Sequence, residues 1–438
     1  MNYILTILLF IFCNLEGYSQ AWRYVPGKKV YKNLEEAVKA KEKVFNLQLY
    51  NEELSKKDFK KIAQFDSLQF LELDKCRLTD LPDEIFKLSN LRTLFLDYNL
   101  FTKIPTGIQF CKKLEYLSMH HCKISEVPKE IGTLQNLEDL HIGDNNIAVL
   151  PPEIGRLGHL VDFSVQNNRI EYLPDEIGNL NNLTSLSLIY NRLQTLPATI
   201  GKLGSLEHLG LSGNCLGFLR DEIGELQSLT SLGASLNNLT SIPVSIARLP
   251  KLKALYLENN DITHFPDKSG GFKNLEVLSL ANNSLAEFPD FIFELRDLKR
   301  LDLSDNKIAF IPNNRGGFKK LEELVLYHNL LTEFPGFIVE SADLKKLELL
   351  GNKIAIIPKE IYKLSKLQTL ALSNNPILDI PEEISMLKNL KWLSIQLTPI
   401  SPEKAAIVKT RLPADCEMLY EVKERKDGYM IRFSDISN

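Results

Sequence analysis

Two histidines and a carboxylate are the first candidates for chemistry in this sequence. Asp97, His120 and His141 follow one another at intervals of 23 and 21 residues, which would place them on neighbouring strands of a repeating chain. Zinc takes three or four such ligands at about 2.0–2.2 Å. No H-x-x-x-H or C-x-x-C spacing accompanies them. We therefore expect no metal site and no cofactor.

A paired glycine raises the possibility of a phosphate-binding loop. "DKSGGFKNLE" begins at Asp267, and a near copy, "NNRGGFKKLE", begins at Asn313. A phosphate loop needs a strand before it, a helix after it and Lys-Ser/Thr following the glycines. Here Phe and Lys follow instead. The sequence also lacks G-x-S-x-G and any Cys/His nucleophile arrangement, so we expect the protein not to be an enzyme.

An internal repeat dominates the chain. Starting at Leu68, leucine recurs fifteen times at a spacing of 23, the last time at Leu390. Each repeat reads close to L-x-x-L-x-L-x-x-N-x-L-x-x-L-P-x-x-I-G-x-L-x-x, as in "LVDFSVQNNRIEYLPDEIGNLNN" from Leu160. Positions 4 to 6 alternate like a short strand with one buried face, and no repeat can bury its apolar face alone. The repeats must therefore stack continuously.

This pattern resembles the leucine-rich repeat family, in the 23-residue form also seen in plant intracellular Ras-group proteins and Ras-pathway scaffolds. The resemblance covers Val44 to about Ile400. It implies an α/β solenoid, a horseshoe with a parallel concave sheet and about 15–16 repeats. It also implies the protein-binding habit of the family.

The asparagines at position 9 and the glycine pairs can both be explained by the structure of the repeat. Asn at position 9 is expected to hydrogen-bond the backbone of the turn, with Cys76 and Cys122 replacing it in two repeats. The glycine pairs fall at positions 19 and 20 of repeats that have Ser269 or Arg315 in place of the core Ile. In those repeats Phe272 and Phe318 replace Leu at position 21. We interpret these phenylalanines as core filling, and the alternative is an aromatic docking patch around Phe291 and Phe337.

The chain divides into four segments: 1–19 as a signal peptide, 20–43 as an N-terminal cap, 44–400 as the solenoid and 401–438 as a C-terminal cap. Residues 3–15 are almost wholly apolar and too short to span a bilayer, which takes roughly 20 residues. Export to the periplasm, the cell surface or the medium follows, with no stable membrane span after cleavage. An uncleaved anchor is the alternative. "KNLEEAVKAKEKV" and "SPEKAAIVKTRL" predict helices in the two caps, the second followed by a hairpin.

The cysteine content and the charge of the chain limit the kinds of partner that it can have. Cys76, Cys111, Cys122, Cys215 and Cys416 remain after cleavage, and we expect them to be buried free thiols. A net charge of -4 offers no general attraction to nucleic acid. Positions 3, 5, 7 and 8 project from the concave face and carry eleven acids, which favour a basic protein or peptide partner. The acids are Glu72, Asp74, Asp97, Asp139, Asp144, Asp162, Glu258, Asp302, Asp305, Glu323 and Glu348, against the bases Lys75, Arg300 and Lys346.

The same positions predict the binding site. Aromatic side chains exposed on a strand face are typical interface anchors. We define the aromatic zone as the N-terminal group that combines such side chains with acids, and predict it to be the ligand footprint. Its residues are Phe70, Phe95, Tyr98, Tyr116, His120, His121, His141, Asp139 and Asp162. Further along, small residues from Ser164 to Ser235 predict a flat floor, followed by a polar group from Tyr256 to Glu348.

Three functions fit these observations. The first is an exported, non-catalytic recognition scaffold for a protein or peptide. The second is a glycan-binding or adhesive surface protein, since aromatics beside carboxylates also suit sugars. The third, if residues 1–19 are not cleaved, is an intracellular scaffold for a small GTPase. The oligomeric state is left open by the sequence.

Overall fold

The computed structural model describes residues 24–265, 271–313 and 318–420. The chain divides into two compact units, Met1–Leu229 (unit 1) and Thr230–Asn438 (unit 2). Several predicted features lie outside the described residues: the signal peptide, Ser269, Gly270, Arg315, Gly316, Gly317 and the second strand of the C-terminal hairpin.

Unit 1 is built on parallel strands of two or three residues that pair in repeat register. Leu71 in one strand pairs with Leu94 in the next, and both are fully buried. The strands are β1 Val30–Tyr31, β2 Asn46–Gln48, β3 Phe70–Glu72, β4 Thr93–Phe95, β5 Tyr116–Ser118, β6 Asp139–His141, β7 Asp162–Ser164, β8 Ser185–Ser187 and β9 His208–Gly210. The predicted strands are confirmed but lie at positions 3 to 5 of the repeats, one residue before the predicted positions 4 to 6, and β1 adds a strand to the N-terminal cap.

Unit 2 repeats the same arrangement, again with parallel pairing from each repeat to the next. Its strands are β10 Ser231–Gly233, β11 Ala254–Tyr256, β12 Val277–Ser279, β13 Arg300–Asp302, β14 Glu323–Val325, β15 Lys346–Glu348, β16 Thr369–Ala371, β17 Trp392–Ser394 and β18 Glu417–Leu419. The last of these, β18, comes from "CEMLYEV" and extends the sheet in parallel to β17.

Within the described residues, three α-helices flank the strands. Helix α1, Leu34–Lys39, is capped by Asn33, whose Oδ1 accepts a hydrogen bond from the Glu36 backbone N–H at 3.1 Å. Helix α2, Lys56–Ile62, forms the outer part of the first repeat. Helix α3, Pro402–Arg411, begins after Ser401, whose hydroxyl accepts from the Lys404 N–H. The predicted helices of both caps are therefore present.

In the other repeats whose outer side the structure describes, that side forms a 3-10 turn. Proline keeps the extended conformation and the next residues coil tightly, as after Pro174 (φ -66°, ψ 148°). The turns in unit 1 are Ile85–Lys87, Thr106–Phe110, Lys129–Thr133, Pro152–Arg156, Asp175–Asn179, Ala198–Lys202 and Asp221–Glu225. Those in unit 2 are Val244–Arg248, Asp290–Glu294, Gly336–Glu340, Lys359–Lys363 and Glu382–Met386.

Position-9 asparagines link the repeats through a buried amide ladder. Asn168 Nδ2 donates to Ile142 O of the preceding repeat at 3.0 Å and to Val165 O of its own repeat at 3.1 Å. Its Oδ1 accepts from the Ile147 N–H at 2.9 Å. One side chain thus satisfies donors and acceptors that would otherwise be buried without partners, which costs roughly 1–3 kcal/mol per group. In the two exceptional repeats, the Cys76 thiol donates to Leu49 O at 3.2 Å and the Cys122 thiol to Leu96 O at 3.5 Å.

The cysteine prediction is confirmed in part. All five described cysteines are free, and Cys76, Cys111 and Cys416 are buried. Cys122 is half-buried, and Cys215 is exposed, which corrects the expectation of burial there. Cys215 follows Asn214 directly at position 10, which points away from the core, so its side chain fills no space between repeats.

The described glycine of the first pair serves packing. A Cβ placed on Gly271 would lie 2.7 Å from Ala247 Cβ and 3.1 Å from Ala247 O of the preceding repeat, so a larger residue would push the repeats apart. Phe272 and Phe318 are buried, 2% and 4% exposed. Phe291 and Phe337 are buried as well, which excludes the alternative of an aromatic docking patch around them.

Candidate functional site

Strands β3 to β7 bring the predicted site residues onto one face of unit 1. Tyr116 pairs in register with Asp139, and Asp139 pairs with Asp162, all at position 3 of successive repeats. Phe95 and His141 occupy position 5 on either side of Ser118. Because parallel strands lie about 4.8 Å apart, residues at equal positions in successive repeats are direct neighbours. The aromatic zone is therefore a continuous set of side chains.

Three of the predicted anchors are buried, which corrects the prediction that they are exposed. Phe70, Phe95 and Tyr116 are 0%, 2% and 3% exposed. Their rings pack in a row along the strand face, tilted against one another, with centroids 5.6 and 4.7 Å apart, and Tyr24 covers the end of the row at 4.3 Å from Phe70. This aromatic stack is a small hydrophobic core outside the leucine core, so it stabilises the N-terminal repeats.

The predicted histidines divide between buried and exposed positions. His120 and His141 are 8% and 7% exposed. The Tyr116 hydroxyl lies 3.1 Å from His141 Nδ1, and the two rings meet edge to face at 5.2 Å. His121 is exposed and lies with its Nε2 3.6 Å from Asp144 Oδ2. Of the predicted histidines, His121 is thus the one that offers its ring to solvent.

A row of exposed rings lies beside the buried stack. Tyr98 is 51% exposed and stacks on His121 with centroids 4.5 Å apart and planes 17° apart. Lys75 Nζ lies 5.0 Å from the ring centroids of both Tyr98 and Tyr50. We call Tyr50, Lys75, Tyr98 and His121 the exposed row. Tyr50 and the role of Lys75 were not predicted from the sequence. The register of the first repeat, which puts Tyr50 at position 7, is the signal that could have identified them.

The backbone fixes where these side chains point. Lys75, Tyr98, His121 and Asp144 occupy position 8 and have φ between 51° and 57°, a left-handed conformation that is uncommon for residues other than glycine. Each N–H there donates to the next repeat, as Tyr98 N does to His120 O at 2.9 Å. The hydrogen bonds offset the conformational cost, so the position is held rigidly and repeated.

Several acids of the strand face are buried rather than exposed. Glu72 and Asp74 are 2% and 5% exposed. Asp74 Oδ1 accepts from the Asp97 N–H at 2.7 Å, and Asp97 Oδ1 accepts from the Ser118 hydroxyl at 2.6 Å. Burial, with the Asp97 and Glu72 charges nearby, raises the pKa of Asp74 to about 8. Burial also raises the pKa of Asp97.

The acidic excess counted from the sequence therefore overstates the surface charge. In unit 2, burial raises the pKa of Glu258 to about 7 and that of Asp302 to about 6. Two more exposed charges of that strand face pair with each other, with Arg300 Nε 3.0 Å from Glu323 Oε2. The acids of unit 1 that reach solvent include Asp139, Asp144 and Asp162, which are half-buried.

Asp74→Asn should raise thermal stability at pH 8 by a few degrees and have less effect at pH 5. A raised pKa means that the folded state holds a proton that the unfolded state, with an ordinary value of 3.8, has released. Stability from this group is present below about pH 4 and is lost as pH rises toward about 8. Asparagine mimics the protonated acid, so the stability of the variant should fall less steeply than that of wild type as pH rises. Melting curves between pH 4 and 9 measure it.

The exposed Glu126 supplies the control for that experiment, and Glu126→Gln should leave the pH profile unchanged. A wild-type profile that is flat from pH 4 to 8, or an Asp74→Asn profile that declines as steeply as wild type, would contradict the assignment.

The potential metal ligands differ from those considered in the sequence. Asp97 Oδ1 accepts hydrogen bonds from the Ser118 hydroxyl at 2.6 Å and from the His120 N–H at 2.7 Å, so this carboxylate faces the turn. Asp139, His141 and Asp162 instead come together, with ligand atoms all within 4.8 Å of one another.

The flat floor of small residues predicted from Ser164 to Ser235 is partly covered by its neighbours. Ser164, Ser185 and Ser187 of unit 1 are buried, as is Ser235 of unit 2.

Among the helices within 24–265, 271–313 and 318–420, none combines the length and apolar character needed to cross a membrane.

Family models match most of the repeat region. A model described as a leucine-rich repeat region matches residues 107–198 and 194–302. Two models described as leucine rich repeats match residues 66–124 and 366–387. A sequence search of curated proteins found no match.

Solved structures show the same architecture. A leucine-rich repeat protein of Leptospira interrogans is 38% identical, with a TM-score of 0.85 over 90% of this chain and 100% of that chain. The plant peptide hormone receptor RGFR1, solved in complex with RGF2, is 27% identical, with a TM-score of 0.66 over 86% of this chain and 70% of that chain. The ectodomain of the receptor kinase GASSHO1/SCHENGEN3 from Arabidopsis thaliana is 26% identical, with a TM-score of 0.63 over 86% of this chain and 49% of that chain. It was solved in complex with CASPARIAN STRIP INTEGRITY FACTOR 2.

The repeat consensus, the parallel strands in repeat register and the asparagine ladder agree with these comparisons. The identity extends over the whole of the Leptospira protein. The chain belongs to the leucine-rich repeat family.

Proposed function

We propose that this protein is a non-catalytic recognition scaffold that binds a peptide or protein on the strand face of unit 1. The observation that carries the proposal is the exposed row, in which aromatic rings and a cation stand in a fixed line on a rigid base. Rings that are already ordered lose little conformational freedom on binding, so they suit interface anchors. The two receptors solved with their ligands support this mode of action within the same fold.

The footprint differs from the one predicted from the sequence. Phe70, Phe95 and Tyr116 form the buried base, while Tyr98 and His121 supply contact area. Asp144 lies beside His121, and Asp139 and Asp162 follow on β6 and β7. Aromatic contacts next to carboxylates favour a partner with exposed basic residues. Export through residues 1–19 is part of the proposal, and a cytosolic full-length product in cell fractionation would refute that part.

Tyr98→Ala should weaken capture of the partner by about 2 kcal/mol, or roughly thirtyfold, as expected for a central aromatic anchor. The immobilised protein would be exposed to an envelope extract and to a peptide library, and the affinity of the recovered ligand measured for both forms. A ligand recovered from a glycan array and from neither of these sources would replace the proposal with glycan binding.

Tyr172 is the matched control, because it is 55% exposed but lies on the outer part of its repeat. Tyr172→Ala should leave affinity unchanged. If Tyr172→Ala weakens binding and Tyr98→Ala does not, the ligand binds elsewhere.

A further inference from the structure

We propose that Asp139, His141 and Asp162 bind a divalent transition-metal ion of the zinc type on the strand face of unit 1. The three side chains come from β6 and the adjacent β7. Their ligand atoms lie within 4.8 Å of one another, and His141 Nε2 is 3.7 Å from Asp162 Oδ2. Two residues of one strand and one residue of the next therefore converge on a single point.

The spacing fits an ion after small side-chain rotations. Ligand atoms that bind one zinc ion tetrahedrally at about 2.0–2.2 Å lie roughly 3.3–3.6 Å apart. His141 Nε2 and Asp162 Oδ2, at 3.7 Å, are close to this spacing, and all three ligand atoms lie within 4.8 Å of one another. The two aspartates are half-buried, so their carboxylates have room to turn inward without movement of the strands.

The strand register is an independent indication of a cation. Asp139 and Asp162 face each other directly across a parallel strand pair. Like charges at facing positions are destabilising. In unit 2 the corresponding positions alternate in sign, since Arg300 faces Glu323 and Glu323 faces Lys346. An ion bound between the facing carboxylates of unit 1 would offset their mutual repulsion.

The histidine is held in the orientation that a metal ligand needs. The Tyr116 hydroxyl lies 3.1 Å from His141 Nδ1, and Tyr116 is itself fixed in the buried aromatic stack. When Nδ1–H donates to the tyrosine oxygen, Nε2 carries the lone pair and points toward Asp162. Such partners beyond the ligands fix the ring and its tautomer at metal sites.

The donor types decide the class of ion. Imidazole nitrogen favours zinc, copper, iron and nickel, whereas calcium and magnesium prefer oxygen ligands alone. One imidazole with two carboxylates therefore favours a transition ion over calcium. Three protein ligands leave at least one position open to water or to a group from a bound partner.

Calorimetric titration of the chelator-treated full-length protein with zinc chloride should show one ion bound per chain. His141→Gln and Asp162→Asn should each weaken binding at least tenfold. Tyr116→Phe keeps the ring in the stack but removes its hydroxyl, and should weaken binding about tenfold. Cobalt substituted for zinc should give visible absorption bands that His141→Gln abolishes.

His328 is the matched control, because its Nδ1 lies 2.9 Å from Asp305 Oδ1 in an exposed histidine–aspartate pair of unit 2. His328→Gln should bind zinc like wild type. The proposal is overturned if wild type binds no zinc, if His141→Gln and Asp162→Asn both bind it fully, or if calcium binds as tightly as zinc. Circular dichroism checks folding, and if His141→Gln does not fold, the half-buried Asp162 decides the result.

Discussion

Phe318→Ala is expected to lower the free energy of unfolding by about 3–5 kcal/mol, the usual cost of removing a core aromatic side chain. Phe318 is 4% exposed, and its ring stacks on Phe293 at 5.7 Å and meets Phe337 edge to face at 5.6 Å. Its backbone N–H donates to the hydroxyl of the fully buried Ser341 at 3.0 Å. Ser341 takes the leucine position of the next repeat, so the large ring and the small residue complement each other.

Chemical denaturation of the variant measures this loss. Phe318→Leu, which restores the common residue at position 21, should lose less than Phe318→Ala because it leaves a smaller cavity. Phe310→Ala is the control, since Phe310 is 57% exposed on the outer part of the same repeat and should change stability by less than about 0.5 kcal/mol. Equal stability of Phe318→Ala and wild type would show that the ring is not part of the core.

Phe318 is preferred to Phe272 for this experiment because of backbone conformation. Phe272 has φ 53°, in the left-handed region where side chains other than glycine are uncommon. A substitution there would change backbone strain and packing together, so the loss could not be assigned to the ring alone.

The core of this protein could be predicted because each core position is defined within its own repeat. Leu160 and its equivalents recur at one spacing, and stacking turns a local pattern into a continuous core. The burial of Phe272 and Phe318 follows from the same register. The 3-10 turns were missed because Leu-Pro fixes only the proline itself, and the coiling begins at the residue that follows.

The strand face on which the candidate site residues lie could be predicted, but the exposure of their side chains could not. Alternation along a strand tells which face a side chain occupies, but not what covers it. Phe70, Phe95 and Tyr116 come from three repeats and cover one another, and Tyr24, from outside the repeats, covers the end. The cation between Tyr50 and Tyr98 likewise depends on contacts between repeats.

The sequence likewise does not show which acids are covered, so the acid count overstated the surface charge. A count treats Asp74 and Asp144 alike, although the first is 5% exposed and the second reaches solvent. Asp74 occupies position 7, where its carboxylate accepts the N–H of Asp97 in the next repeat. Part of the acidic pattern therefore belongs to the hydrogen bonding between repeats and not to partner recognition.

Phe95→Ala is expected to lower the free energy of unfolding by about 3 kcal/mol, at the lower end for a buried phenylalanine. The ring is 2% exposed and contacts both Phe70 and Tyr116, so its removal opens the middle of the aromatic stack. The loss should be near the lower end because the stack lies on the strand face, where neighbouring rings or water can fill part of the space. Denaturant titration followed by tyrosine fluorescence would measure it.

Tyr98→Ala provides the contrast that separates stabilisation from recognition. Tyr98 is 51% exposed, so its removal should cost less than about 1 kcal/mol of stability while affecting partner binding. Phe95→Ala should do the reverse at temperatures where the variant is folded, because a ring covered by its neighbours cannot touch a ligand. If Phe95→Ala leaves stability unchanged but abolishes binding, the stack must open in solution, and the buried rings would then be the anchors after all.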